Sequence, residues 1–532
     1  MLVVRYLGSF LFILFSGSIF AQHSIDAVPL QSIDYFFSES INQNNILKHL
    51  SILASDSLEG REFGTIGNMK AGEYIAYSLR KSKVLPFGDR GTFFQPVEIK
   101  SNYWDKLELQ SGAHVLKPVI DFFASLGHNP ADYQTSATYM LFAGYGIDAA
   151  NYNDYAFAQG WNESLLILDG EPMVDGKYII SGNDHPSEWS SDLDKKVQKA
   201  VSRNVKCIYI LTDSAFFKRI QNRSLASFNT YSFDTSYSYP IPVIRINMAS
   251  MPDLLSKSEL DKLYAYIDQV KNGQVASNFI QLPLSLQIKS GQKIVRGRNI
   301  VAAIPGDDPD YKNEWIVLSA HYNHLGVENG KVYNGADDNG TGTSALLELA
   351  AALQKRKNQG GKLKRSVLFL FMTGEEKGLL GSAYFVRHPI VPLNTIKSDI
   401  NIDMIGRSDN NHPPDESYVY IIGSDKINLL LDKAIVSANN ASVHYHLDYT
   451  YNDENHPSRL YYRSDHYNFA VHGIPSVFLF GGFHEDYHQP TDDIDKINLK
   501  KVQDISRLVY FTILRLANYP GIIETRYNTA QE

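Results

Sequence analysis

The stretch Trp315-Ile316-Val317-Leu318-Ser319-Ala320-His321-Tyr322-Asn323-His324 decides the fold, because an apolar run of strand length stops abruptly at two imidazoles. Short apolar runs bounded by polar residues read as buried strands. Working outward, 367–372, 400–404, 418–422 and 476–480 repeat the pattern, while 344–355, 427–439 and 499–517 read as helices. In the last of these Val502, Ile505, Val509, Ile513 and Leu516 fall three or four residues apart, on one helical face. Strands alternating with helices from about residue 282 predict an α/β unit, a mainly parallel sheet with helices on both faces. Functional groups in such sheets gather just beyond the carboxyl ends of the strands.

Upstream the texture differs. Short strands at 139–142, 165–168, 207–211 and 243–246, with a Lys-rich helical segment at 194–203, predict a smaller α+β unit. Before it, 49–54 and 71–79 read as helices around the turn Gly60-Arg61-Glu62-Phe63-Gly64-Thr65-Ile66-Gly67, whose glycines lack the context of a phosphate loop. At the start, Arg5, an apolar run over 6–20 and then Ala21-Gln22 predict a secretory signal peptide cleaved after Ala21. The run is shorter than the roughly 20 residues of a spanning helix. A secreted or periplasmic product with no membrane span in the mature chain is expected, and the tail after Pro520 is expected to be loosely held.

The 532 residues suggest about three or four structural units. With 44 % apolar and 20 % charged residues, disorder is excluded for the bulk of the chain. Lys plus Arg number 50 against 58 Asp plus Glu, a formal charge of -8 without a basic block, so nucleic acid is not expected as a partner. The single cysteine, Cys207, excludes an intrachain disulfide and a multi-thiolate zinc site. Its apolar setting reads as a small hydrophobe.

Metal-type side chains recur at the predicted strand ends. They comprise His321-Tyr322-Asn323-His324, then Asn334-Gly335-Ala336-Asp337-Asp338-Asn339, Thr373-Gly374-Glu375-Glu376, Asn401-Ile402-Asp403-Met404, and His484-Glu485-Asp486-Tyr487-His488-Gln489-Pro490-Thr491-Asp492. Each is weak alone; five on successive elements of one sheet suit catalytic Zn²⁺ with His and carboxylate ligands. Ser464-Asp465-His466 reads mainly as a helix N-cap, with a lesser share for lining a pocket.

These runs, together with Gly374-Glu375-Glu376-Lys377-Gly378, Asn401-Ile402-Asp403-Met404-Ile405-Gly406 and Asp486-Tyr487-His488-Gln489-Pro490, closely resemble the secreted dizinc aminopeptidase family, which is related to glutamate carboxypeptidase and glutaminyl cyclase. The segment from Phe142 to about Asn247 resembles the protease-associated domain often inserted in such enzymes. With the signal peptide at 1–21, the resemblance implies a first part of the peptidase domain at 22–130, the insert at 131–280, the catalytic domain at 281–520 and a tail at 521–532. It implies that His321 and Asp403 bind one zinc, Glu376 and His488 a second, and Asp337 bridges them with a cis bond to Asp338. Glu375 would be the general base, and the metals would also hold the free α-amino group of a peptide substrate. The chain departs from the family at Asn323, where an Asp normally orients the ring of the first histidine ligand. The alternatives are a carboxypeptidase or glutaminyl cyclase of the same fold, or a peptide-binding pseudoenzyme weakened by Asn323.

Overall fold

A computed structural model of the chain describes residues 24–527 apart from 127, 157–160, 222, 224, 234–238 and 414–416. The expected signal peptide lies outside the described residues. Numbering only the elements used below, the chain opens with α1 (Ser32–Ser38), α2 (Gln43–Leu53) and α3 (Ile66–Lys81), the last two capped by the side chains of Asn42 and Thr65. β1 (Phe94–Ser111) leads into β2 (Asp132–Ala143), β3 (Ser164–Leu168), α4 (Leu193–Ser202), β4 (Cys207–Thr212), β5 (Val243–Asn247) and α5 (Lys257–Lys271). Then come β6 (Ser277–Ile304), β7 (Trp315–His321), α6 (Gly342–Asn358), β8 (Ser366–Met372), α7 (Leu380–Arg387) and β9 (Ile396–Ile402). β10 (Tyr418–Ile422), α8 (Leu429–Ala441), β11 (His446–Asp448), β12 (Ser476–Phe480) and α9 (Leu499–Asn518) complete the list.

One sheet runs through the molecule in the order β11-β10-β12-β9-β7-β8-β6-β2-β3-β4-β5. β8, β7, β9 and β12 are mutually parallel, as the alternating pattern requires, and β10 and β6 join antiparallel on either side. Every residue of β8 is buried, the signature of a strand covered on both faces. Side chains alternate across β7: Ile316, Leu318 and Ala320 enter the core beneath α2, α3, α6, α8 and α9, while Val317 enters the opposite core with Phe385 and Val386 of α7. The spaced residues Val502, Ile505, Val509, Ile513 and Leu516 of α9 are all buried in the first core.

The 28-residue strand β6 is the connector. Its first half pairs β2, its middle pairs β1 from Ser285 opposite Gln110 to Ile300 opposite Phe94, and its last residues pair β8. The boundary expected at residue 280 therefore falls within a strand, and two units share one backbone. Beyond it β2, β3, β4 and β5 are parallel neighbours with cores of their own, one against α4 and one against α5. Cys207 is buried in this sheet, where burial pushes its thiol up to about 12, so it stays protonated.

The tail expected to be loose is pinned as far as residue 527. Arg365 donates to the carbonyl of Gly521 at 2.7 Å, the amide of Arg526 donates to Gly473 at 2.7 Å, and Ile523 is buried. Among the described residues no helix is long and apolar enough to cross a membrane.

Candidate metal centre

The expected strand ends converge. β7 delivers His321, the turn after β8 delivers Glu375 and Glu376, the residue after β9 is Asp403, and the loop after β12 carries His488 in the left-handed region at φ 57°. Non-glycine residues adopt that conformation rarely and mostly where surroundings impose it. His321 Nε2 lies 3.2 Å from Asp403 Oδ1 and 3.5 Å from Asp338 Oδ1. On the other side of Asp338, His488 Nε2 lies 3.2 Å from Asp338 Oδ2 and 3.1 Å from Glu376 Oε2.

The residue between the two groups is thus Asp338. Asp337, expected as the bridge, does not lie between them, and the cis bond joins Asp338 to Asn339 instead of Asp337 to Asp338. Asp337 faces the other way: Oδ1 accepts the Gly406 amide at 2.6 Å and the Thr341 hydroxyl at 3.0 Å, and Oδ2 lies 3.3 Å from His484 Nε2. Successive side chains leave the turn on opposite sides, so two adjacent aspartates cannot share one role. The turn is entered through Gly335 at φ 56°, where a Cβ would meet the Asp338 carbonyl at 2.2 Å and the His324 ring at 2.4 Å. Only glycine fits such an approach.

Asn323 also differs from expectation. The His321 ring is held by the main chain, its Nδ1 lying 3.2 Å from the Asn323 carbonyl oxygen. The Asn323 side chain instead accepts the Glu375 amide on Oδ1 at 3.1 Å, leaving its Nδ2 buried without a partner. It therefore positions Glu375, not the imidazole.

Three neighbours were given no role at the metals from sequence. His324 Nδ1 lies 2.8 Å from Glu376 Oε1, the oxygen that faces away from His488, and its Nε2 is buried without a partner. A proton on Nδ1 leaves a bare acceptor buried, which costs less than an unpaired N–H, so His324 orients Glu376 as a donor. Ser464, read as part of a helix cap, donates to Asp403 Oδ2 at 2.7 Å and accepts from Asn401 Nδ2 at 2.8 Å. The following Asp465 makes no side-chain cap hydrogen bond. Asp492 accepts the amides of Asp337 and Asp338, each at 3.1 Å. Each arises from contacts far apart in the chain, and residue spacing carries no trace of them.

The charges want a cation. Burial would lower the His488 imidazole, but Glu376 and Asp338 lift it to about 10. Burial likewise acts against His321, which Asp403 and Glu375 raise well above its usual range. Burial pushes the Glu375 carboxyl well up, reinforced by Glu376, Asp403 and Asp465. Burial favours a proton on Glu376 too, yet His488 and His324 hold its carboxyl well down. His488 Nε2, though close to two carboxylates, is aligned for a hydrogen bond with neither. Donors about 2.0–2.1 Å from one tetrahedral zinc stand roughly 3.3 Å apart, and the separations of 3.1 to 3.5 Å around His321 and His488 bracket that value. Asp338 joins two clusters able to hold a metal ion, one with His321 and Asp403 and one with His324 and Glu376.

Residues 299–513 match the model of peptidase family M28. A probable leucine aminopeptidase of Arthroderma otae is 29 % identical over 65 % of this chain and 94 % of its own length. A probable leucine aminopeptidase 2 of Aspergillus oryzae is 28 % identical over 46 % of this chain, which spans half of that protein. Among solved structures, an aminopeptidase from Aneurinibacillus sp. superposes with a TM-score of 0.56 at 18 % identity, over 92 % of this chain and 98 % of that one. A zinc aminopeptidase from Bacillus subtilis superposes with a TM-score of 0.52 at 20 % identity, covering 91 % of this chain and 97 % of its own. Residues 299–513, which carry the ligand-type side chains at the strand ends of this sheet, are thus similar to peptidase family M28.

Proposed function

We propose that the chain is a dizinc aminopeptidase that hydrolyses the N-terminal bond of peptides, with His321 and Asp403 holding one ion, Glu376 and His488 the other, and Asp338 both. The observation that carries this reading is the Asp338 carboxylate, one oxygen 3.5 Å from His321 and the other 3.2 Å from His488. Bound zinc would supply Lewis acidity toward the scissile carbonyl and lower the pKa of a water.

This chain's residues supply the rest. Glu375 lines the same pocket as His321, Asp338 and Asp403, with its backbone fixed by Asn323. Its raised proton affinity suits a general base that takes a proton from water and hands it to the leaving amine. Met404, Leu460, Phe478, Phe480 and Phe483 line the adjoining side of the pocket, which favours an apolar N-terminal side chain. The names of the relatives support the aminopeptidase reading. Export to the periplasm or beyond rests on the signal-like sequence at 1–21.

The test is hydrolysis of aminoacyl arylamides beside metal analysis. Wild type is expected to bind two zinc ions and cleave leucyl or phenylalanyl arylamide in a chelator-sensitive way. Glu375→Gln is expected to keep both ions and lose about 10²- to 10⁴-fold in kcat, and Glu376→Ala to lose an ion as well. Zinc-loaded wild type that cleaves no amino-terminal substrate, or Glu375→Gln with full turnover, would overturn the reading.

A further inference from the structure

Arg61 is 1 % exposed and has no carboxylate within ion-pair distance among the described residues. Of the other buried guanidinium groups, Arg515 takes the carbonyls of Asp26 and Val28, whereas Arg356 takes Asp34 and Arg365 takes Glu314. Arg61 likewise takes carbonyls. Its Nε donates to Tyr322 at 2.8 Å, one terminal nitrogen to Asn334 at 2.7 Å and also to Leu53, and the other to Gly335 at 3.0 Å. Tyr322 directly follows His321, and Asn334 and Gly335 open the turn that presents Asp338.

That turn is gripped from both sides. Arg61 holds the carbonyls of Asn334 and Gly335, while Asp492 holds the amides of Asp337 and Asp338. At Gly335 the same turn leaves no room for a side chain, since a Cβ would meet the Asp338 carbonyl and the His324 ring. Arg61 reaches this position from a tight bend between α2 and α3, where Glu59, Gly60 and Arg61 itself all have positive φ. Burial lowers its pKa to about 10, with Asp338, Asp492 and Glu376 acting to raise it, so it stays charged at neutral pH.

We propose that Arg61 is a positioning residue of the metal site, fixing the Asn334–Asp338 turn and thereby the carboxylate shared by the two ions. This rests on the two-zinc reading above. Arg61 touches neither substrate nor metal; it acts through Asp338 and through the chain after His321. Its fixed charge also offsets the surrounding carboxylates before any metal arrives. The N-terminal segment is thus part of the site, although the sequence presents it only as a glycine-rich turn.

The experiment uses the full mature chain. Arg61→Lys keeps the charge but cannot form the fork of bonds, and Arg61→Met removes the charge while keeping an apolar stem. Zinc affinity is measured by competition with a chromogenic chelator, and thermal midpoints are measured with and without zinc. We expect Arg61→Lys to fold and to lose about 10- to 100-fold in affinity for at least one ion, the usual effect of losing support behind a ligand. The midpoint rise given by zinc should shrink with it, and at saturating zinc kcat should fall more than KM rises. A role confined to joining α2 and α3 to the sheet predicts instead equal midpoint losses with and without zinc and unchanged affinity, which would overturn the proposal. If neither variant folds, Asp492→Asn weakens the opposite grip on the same turn: looser zinc supports the proposal and wild-type affinity overturns it. Fewer than two ions in wild type would sink the two-zinc reading and this inference with it, whereas two ions in wild type with unaffected variants would sink this inference alone.

Discussion

Asp337 and Asp338 carry the same group and are both buried, yet one braces a loop and the other faces two imidazoles. Asp338→Asn is therefore expected to release at least one zinc, because a neutral amide offers one acceptor where two ions need two. Asp337→Asn can still accept from Gly406 and Thr341 through its amide oxygen. It should retain both ions and cost about 1–3 kcal/mol for weakened charge-assisted bonds. Metal content and thermal midpoints of the two variants, measured together, check the assignment; zinc loss confined to Asp337→Asn would reverse it. Asn323 gives a prediction of a different kind. Asn323→Asp leaves the carbonyl that holds His321 untouched, keeps an acceptor for the Glu375 amide and removes a buried unpaired N–H. It also adds negative charge beside Glu375, whose carboxyl is already well up. A base with a higher pKa is protonated, and so inactive, up to a higher pH. The acid limb of the kcat/KM profile should move upward while zinc affinity changes little, and a downward or absent shift would show that the side chain has another role.

At the scale of elements, burial and strand alternation carry the site. α9 lies against the sheet with Ile505, Val509 and Ile513 fully buried or nearly so, in the core that also holds Ile316 and Leu318 of β7. Removing most of such a side chain from a packed core costs about 2–5 kcal/mol. Ile505→Ala should lower the urea midpoint accordingly, while zinc-loaded protein below the transition keeps its kcat, since the ligands sit on strand ends and loops well along the chain. An unchanged midpoint would mean that α9 packs less closely than its buried face indicates. β9 shows the converse dependence. Asn401 on the strand holds Ser464, and Ser464 holds Asp403, so the element fixes its ligand through a hydrogen-bonded relay as well as through the backbone.

At the scale of the molecule, β6 forces a design choice on any truncation. Cutting at 131 and 280 would sever β6 from its first residues and remove β2, the partner of its first half. Joining Ser111 to Ser285 through a short turn would instead close β1 and β6 into a hairpin, because Gln110 already pairs with Ser285 and Leu109 with Leu286. The removed segment contains none of the proposed ligands. It does touch the shoulder of the site, with Tyr231 against Phe63, and with Phe233 against Tyr384 and beneath Arg387. The hairpin variant is expected to keep two zinc ions and to change its preference for peptide length. It should also lose stability, since Leu109 and Leu286 belong to the core it gives up. Zinc analysis and a ladder of peptides of increasing length test this; a folded variant without metal would show that the segment supports the site directly.

The sequence by itself determined the strands and helices of the α/β unit and the strand ends where metal-type side chains gather. Hydrophobic periodicity is local, and His, Asp and Glu declare their chemistry wherever they stand. It did not reveal β6 as one 28-residue strand, because that strand serves neighbours on two different units and its exposure pattern changes along its length. Which of Asp337 and Asp338 faces the two imidazoles, the turning of the Asn323 side chain toward Glu375, and the contacts of Arg61, His324 and Ser464 belong to the tertiary structure alone. Arg61 meets Gly335 across 274 positions, and Ser464 meets Asp403 across 61. Which carbonyl a buried guanidinium takes, or which of two adjacent carboxylates turns inward, depends on what packing brings opposite it, and packing joins residues that the chain keeps far apart.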